Sequence, residues 1–131
     1  MIGIVLVSHS HALSYGLQEM AQQMAQGRVK VAAAGGLDET TMGTNAERIV
    51  EAIRQVYSAD GVLVLLDLSS AFLSAQMAIE MLPAAWQPQI KLSGAPLVEG
   101  AMMAAIESSL GRTLAEVSLA AEAARDMEKI L

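Results

Sequence analysis

Two stretches of the chain, residues 2–7 and 62–66, run apolar from end to end with no polar residue on alternate positions. A strand of that kind is buried on both faces. It belongs in the middle of a parallel sheet covered on two sides, not at a half-wetted edge. Residues 29–34 and 89–93 read as two further, weaker strands. Between the strands the apolar period changes to that of helices. Leu13, Leu17, Met20 and Met24 recur at spacings of three and four, with Gln18, Glu19, Gln22 and Gln23 opposite and Gly27 as the stop. Ile49, Val50, Ile53, Val56 and Tyr57 form the apolar face of a second helix, opened by the capping-box spacing Thr44-Asn45-Ala46-Glu47. A third helix covers residues 71–82 and stops at Pro83, and a fourth covers 98–109. A fifth starts at the capping box Thr113-Leu114-Ala115-Glu116 and runs towards Leu131. The order β-α-β-α-β-α-β-α-α predicts one α/β domain over residues 1–131. It has three layers, with a central parallel sheet of about four strands in the order 2-1-3-4 and helices on both faces.

Composition removes several classes of function. With 53% hydrophobic and 17% charged residues the chain is not disordered. A net charge of -6 argues against a nucleic-acid partner, which needs a basic footprint. Cysteine is absent, which excludes disulfides, thiolate catalysis and zinc–thiolate sites. The first residues have no basic n-region, and no apolar stretch approaches the ~20 residues of a membrane span. The expectation is a soluble, cytoplasmic protein with no membrane partner. The fourth helix, built of small residues and methionine, is apolar on most sides, which predicts burial between subunits and hence a homodimer.

In an open parallel sheet, ligands bind beyond the C-terminal ends of the strands, where the strand order reverses. Here that point lies between the first and third strands, which end in His9 and Asp67. A carboxylate that accepts from one ring nitrogen fixes the tautomer and leaves the other nitrogen bare and nucleophilic. Ser10 with the first amides of helix one, and Ser69 and Ser70 at helix three, are placed to cradle an anion such as a phosphoryl group. A histidine at a strand end also occurs as a loop residue satisfied by a neighbouring carbonyl, and pattern alone leaves both readings open. His11 is the lesser candidate. Glycine-rich dinucleotide and P-loop patterns are absent. A receiver domain would need an acidic pair after the first strand, where Val7-Ser8-His9-Ser10 supplies none. His9 and His11 have no obvious third ligand for a metal.

At Val5-Leu6-Val7-Ser8-His9-Ser10 the chain resembles the mannose-type EIIA domains of the bacterial phosphotransferase system. Within them it is most similar to the phosphotransfer subunits of phosphoenolpyruvate-dependent dihydroxyacetone kinases. Further matches are Ala33-Ala34-Gly35-Gly36-Leu37-Asp38, Met42-Gly43-Thr44, Leu65-Leu66-Asp67-Leu68-Ser69-Ser70-Ala71 and Ala95-Pro96-Leu97-Val98-Glu99-Gly100. The likeness runs nearly end to end. It implies an enzyme component that takes a phosphoryl group from phospho-HPr onto His9, at Nε2. It then passes the group to ADP on the nucleotide-binding subunit DhaL, with DhaK as the substrate subunit. Asp67 would orient the ring, and Gly43 and Thr44 join Ser10, Ser69 and Ser70 as supports for the phosphoryl group. No metal or organic cofactor is implied in this component. Some similar proteins carry further HPr-like and enzyme I-like domains, whereas this chain has room for the EIIA-like domain alone. Similar proteins usually read Asp-Leu-Gly-Ser after the third strand; Ser69 replaces that glycine and is expected to strain the loop if it needs positive φ. The alternatives are a sugar-transporting EIIA of the mannose type and a non-catalytic dimeric sensor or adaptor on the same fold.

Overall fold

A computed structural model describes all residues, 1–131. Four parallel strands, β1 (Gly3–Ser8), β2 (Val31–Gly35), β3 (Val62–Leu66) and β4 (Ile90–Ser93), pair in the order β2-β1-β3-β4. Five helices connect and cover them: α1 (His11–Met24), α2 (Ala46–Val56), α3 (Phe72–Glu80), α4 (Leu97–Ser109) and α5 (Leu114–Ala123). No helix is long and apolar enough to cross a membrane.

The alternation of side chains along β1 and β3 divides the interior into two cores. Ile4, Leu6, Leu63 and Leu65 face Leu17 and Ala21 of α1, Ala101, Ala104 and Ala105 of α4, and Val117 and Ala121 of α5. Val5, Val7, Val62 and Val64 face Ile49, Ile53 and Val56 of α2 and Ala75 and Ala78 of α3. Both strands are therefore buried on both faces, as their unbroken apolar sequences predict. Small residues on α3 and α4 let these helices lie close to the sheet; a Cβ on Gly100 would meet the Ala95 side chain at 2.8 Å and Leu65 at 3.1 Å.

Three local expectations change. The buried row of α1 is Ser14, Leu17 and Ala21, while Leu13, Met20 and Met24 are exposed. The helix is rotated because Ser14 fits against Gly35 at the end of β2, where a Cβ would run into Ser14 Oγ and Ser10 O. The cap of α2 is Asn45, whose side chain accepts the Glu47 N–H at 2.9 Å, so Thr44-to-Glu47 forms no capping box. The Thr113–Glu116 capping box does form. The last helix ends at Ala123 and passes into a 3₁₀ turn over Ala124–Asp126, well short of Leu131. One face of α4 packs on the sheet, α1 and α5 within the same chain, while Val98 stays exposed and Met102, Met103 and Ile106 are half-buried.

The seat of Ser14 on Gly35 makes a stability test. Gly35→Ala is expected to lower unfolding free energy by about 1–3 kcal/mol through overpacking. Gly16→Ala, on the exposed side of α1 with nothing within 4 Å of the added Cβ, is expected to raise it by about 0.5–1 kcal/mol. Denaturant unfolding followed by helical circular dichroism reads both.

Candidate active site

The site follows from the register between β1 and β3. Val7 pairs with Leu66, and the ladder continues one step further as Asp67 N–H donates to Val7 O at 3.0 Å. The residues just beyond the two strands, His9 and Asp67, must then lie side by side. On the other flank Ser8 pairs with Gly35, and the Gly36 N–H donates to Ser8 O at 3.1 Å. The β2–α2 loop returns to the site where the Gly43 N–H donates to His9 O at 2.9 Å. Gly43 has φ 137°, a conformation that disfavours side chains, and an added Cβ would also meet Leu37 at 2.8 Å.

Asp67 is the hub of the cluster. Its Oδ1 accepts from His9 Nδ1 at 3.0 Å and from the Leu68 N–H at 2.7 Å. Its Oδ2 accepts from the His9 N–H at 2.9 Å and from Ser8 Oγ at 3.1 Å. Burial pushes the carboxyl up and is the largest single influence. The hydrogen bonds from His9 backbone, His9 ring, Ser8 and Leu68 together outweigh it and hold Asp67 below the usual carboxylate value. A carboxylate can only accept, so neutral His9 carries its proton on Nδ1 and its Nε2 is bare. Ser70 Oγ lies 3.0 Å from Nε2 and donates to it. The His9 side chain retains 21% of its accessible surface and Asp67 13%. Nε2 is thus reachable while the carboxylate that holds Nδ1 is sheltered.

The structure brings His9, Asp67 and Ser70 into direct contact, and joins Gly43 through its backbone. Ser10 is the N-cap of α1: its hydroxyl accepts the Leu13 N–H at 3.2 Å, and its own N–H donates to Ser8 Oγ. Thr44 makes no hydrogen bond to the imidazole; its hydroxyl pairs with Ser74 Oγ at 2.7 Å, one helical turn beyond Ser70. Ser69 is exposed, makes no side-chain hydrogen bond and has negative φ, since Gln26 is the sole non-glycine residue with positive φ. The strain expected for serine at this place does not arise. His11 faces elsewhere, with Nδ1 3.1 Å from Arg48 Nη2 and its ring against Tyr15.

Three residues escaped the reading of the sequence. Ser8 is fully buried and bonded to Asp67; its signal was a lone hydroxyl closing an otherwise apolar strand. Ser74 needed the helix phase that places it below Ser70. Arg48 bridges Gly35 O and His11 across the end of β2, and no sequence pattern marks such a contact.

Comparison with known proteins places this geometry in context. The family model described as the PTS system fructose IIA component (EIIA-man) matches residues 3–118. A protein of Escherichia coli K12 described as the phosphoryl donor subunit DhaM of phosphoenolpyruvate-dependent dihydroxyacetone kinase is 40% identical over 120 residues, 89% of this chain and 25% of that protein. The chain thus spans about a quarter of that relative's length. The phosphoryl donor subunit DhaM of dihydroxyacetone kinase 2 from Listeria innocua is 40% identical over 108 residues, 82% of this chain and 86% of that one. Among solved structures, the crystal structure of a protein of unknown function, EF1359, has TM-score 0.84 and 30% identity, covering 100% of this chain and 99% of the other.

The depressed pKa of Asp67 carries a pH dependence. Its folded value lies below the unfolded one, so the stability it contributes is complete above the unfolded value of about 4 and is lost as pH falls through the folded value. Denaturant midpoints read by Trp86 fluorescence across the acid range are expected to fall more steeply for the wild type than for Asp67→Asn. At neutral pH that variant is expected to be about 1–3 kcal/mol less stable, because an amide nitrogen then faces a donor.

Proposed function

The chain belongs to the mannose-type EIIA family of the phosphotransferase system, and on that footing we propose that it is the phosphoryl donor subunit, DhaM, of a phosphoenolpyruvate-dependent dihydroxyacetone kinase. Residues 1–131 would act as its EIIA domain, in the cytoplasm and as a homodimer. Phospho-HPr is the donor, and ADP on DhaL, which serves DhaK, is the acceptor. The observation that carries the reading is the tethered His9 ring: Nδ1 is held by Asp67, and Nε2 is bare at the strand ends.

The chemistry follows from those contacts. Phospho-HPr presents its phosphoryl group to Nε2, and Ser70 gives up the nitrogen to bond a phosphoryl oxygen instead. The nitrogen lone pair forms the new P–N bond while the donor's P–N bond breaks and its electron pair returns to HPr. The proton stays on Nδ1, and the positive charge growing on the ring is met by Asp67. In the onward step an oxygen of the terminal phosphate of ADP attacks phosphorus. The P–N bond breaks, its electron pair returns to Nε2, and His9 is restored as the neutral Nδ1–H tautomer. Gly43 fixes the His9 backbone, and Ser10 caps the helix whose N-terminus faces the incoming charge.

Incubation with labelled phosphoenolpyruvate, enzyme I and HPr is expected to place an acid-labile phosphate on the wild type and none on His9→Ala. Asp67→Asn is expected to slow labelling by at least about tenfold, the scale of one charge-assisted hydrogen bond. Adding DhaL with ADP should drain the label into ATP. A wild type that takes no label overturns the proposal. A labelled chain that gives nothing to DhaL and passes its phosphate to a sugar-permease component overturns the kinase assignment.

A further inference from the structure

Ser8 is the last residue of β1 and is fully buried. Its hydroxyl oxygen accepts the Ser10 N–H at 3.0 Å, and its proton goes to Asp67 Oδ2 at 3.1 Å. Those directions are forced, because the amide can only donate and the ionised carboxylate can only accept. Among the four donors on Asp67, two are backbone amides, one is the Ser8 hydroxyl and one is the His9 ring, the only titratable partner. No other charged side chain forms an ion pair with the cluster. Arg48, at the end of β2, is engaged by Gly35 O and His11 instead.

We propose that Ser8 is a positioning residue for the relay, setting how strongly Asp67 holds the Nδ1 proton of His9 and so how readily the phosphoryl group leaves Nε2. The proposal rests on the phosphohistidine reading above. When the P–N bond forms at Nε2, its electron pair comes from the ring, which becomes imidazolium-like while Nδ1 keeps its proton. That proton is then drawn harder towards Asp67, so a stronger acceptor stabilises the phosphorylated state over the free one. A hydroxyl proton placed on the same carboxylate weakens it as an acceptor. The Ser10 amide bonded to the Ser8 oxygen polarises that hydroxyl further. Ser8 therefore keeps the phosphohistidine transferable: without it the group is accepted more completely and released less easily.

The test uses Ser8→Ala and the nearly isosteric Ser8→Cys, which retains a weak donor where the alanine variant fails to fold. The Asp67 carboxyl carbon is titrated by NMR in the unphosphorylated chain. In parallel, the equilibrium share of label between HPr and the chain is measured at neutral pH. The Asp67 midpoint is expected to rise by about one pH unit in Ser8→Ala and by less in Ser8→Cys. The label is expected to shift several-fold towards the chain, with slower discharge to DhaL and ADP. A labelled wild type whose variants leave the Asp67 midpoint in place overturns the proposal alone, even if labelling falls at every pH, because that pattern is a loosened site. A raised midpoint with an unchanged label share also overturns it. A wild type that takes no label overturns the relay reading, and the role of Ser8 in it.

Discussion

The parallel pairing of β1 with β3 is the constraint on which the rest depends. It places Val7 opposite Leu66, so the strand ends deliver His9 and Asp67 to the same spot although they are far apart in the chain. The pairing is possible because both strands are apolar on both faces, and it is held by helices on either side of the sheet. Shifting the register by one residue would exchange the two cores and turn His9 away from Asp67. Packing and chemistry are thus specified by one alignment.

Beyond that alignment the site is a matter of hydrogen-bond direction. Asp67 is surrounded by donors alone, which fixes it as a carboxylate and fixes the His9 tautomer. Nothing around it is long or flexible: two donors are backbone amides, one is the hydroxyl of a buried serine, and the last is the imidazole itself. The result is an imidazole whose orientation is set by the strand ends and whose Nε2 carries no proton in the neutral ring. Ser70, within the 3₁₀ turn that leads into α3, faces that nitrogen from the other side of the ring.

Much of this was legible in the residues. The unbroken apolar runs identified the central strands, and the alternation of periods identified the parallel sheet and its order. The rule that ligands lie where strand order reverses joined His9 to Asp67 before any distance was known. Contacts that depend on helix phase were less legible. The apolar residues of α1 suggested a buried row through Leu13, Met20 and Met24, yet the row that packs contains Ser14, because Gly35 leaves room for a small side chain there and no more. Thr44 had the spacing of a cap, but the loop turns so that Asn45 takes that place and Thr44 reaches Ser74.

The sequence by itself determined the fold class, the strand order and the pair of residues at the reversal point. Those follow from periodicity and from the chirality of crossovers, which act over short stretches of chain. Only the tertiary structure decided that Ser8 supports Asp67, that Ser70 faces Nε2, that His11 belongs to Arg48, and that α4 packs on the sheet beside α1 and α5. Each of those is a contact between segments brought together by folding. Its geometry depends on a few ångströms of strand register and helix rotation that no local pattern encodes.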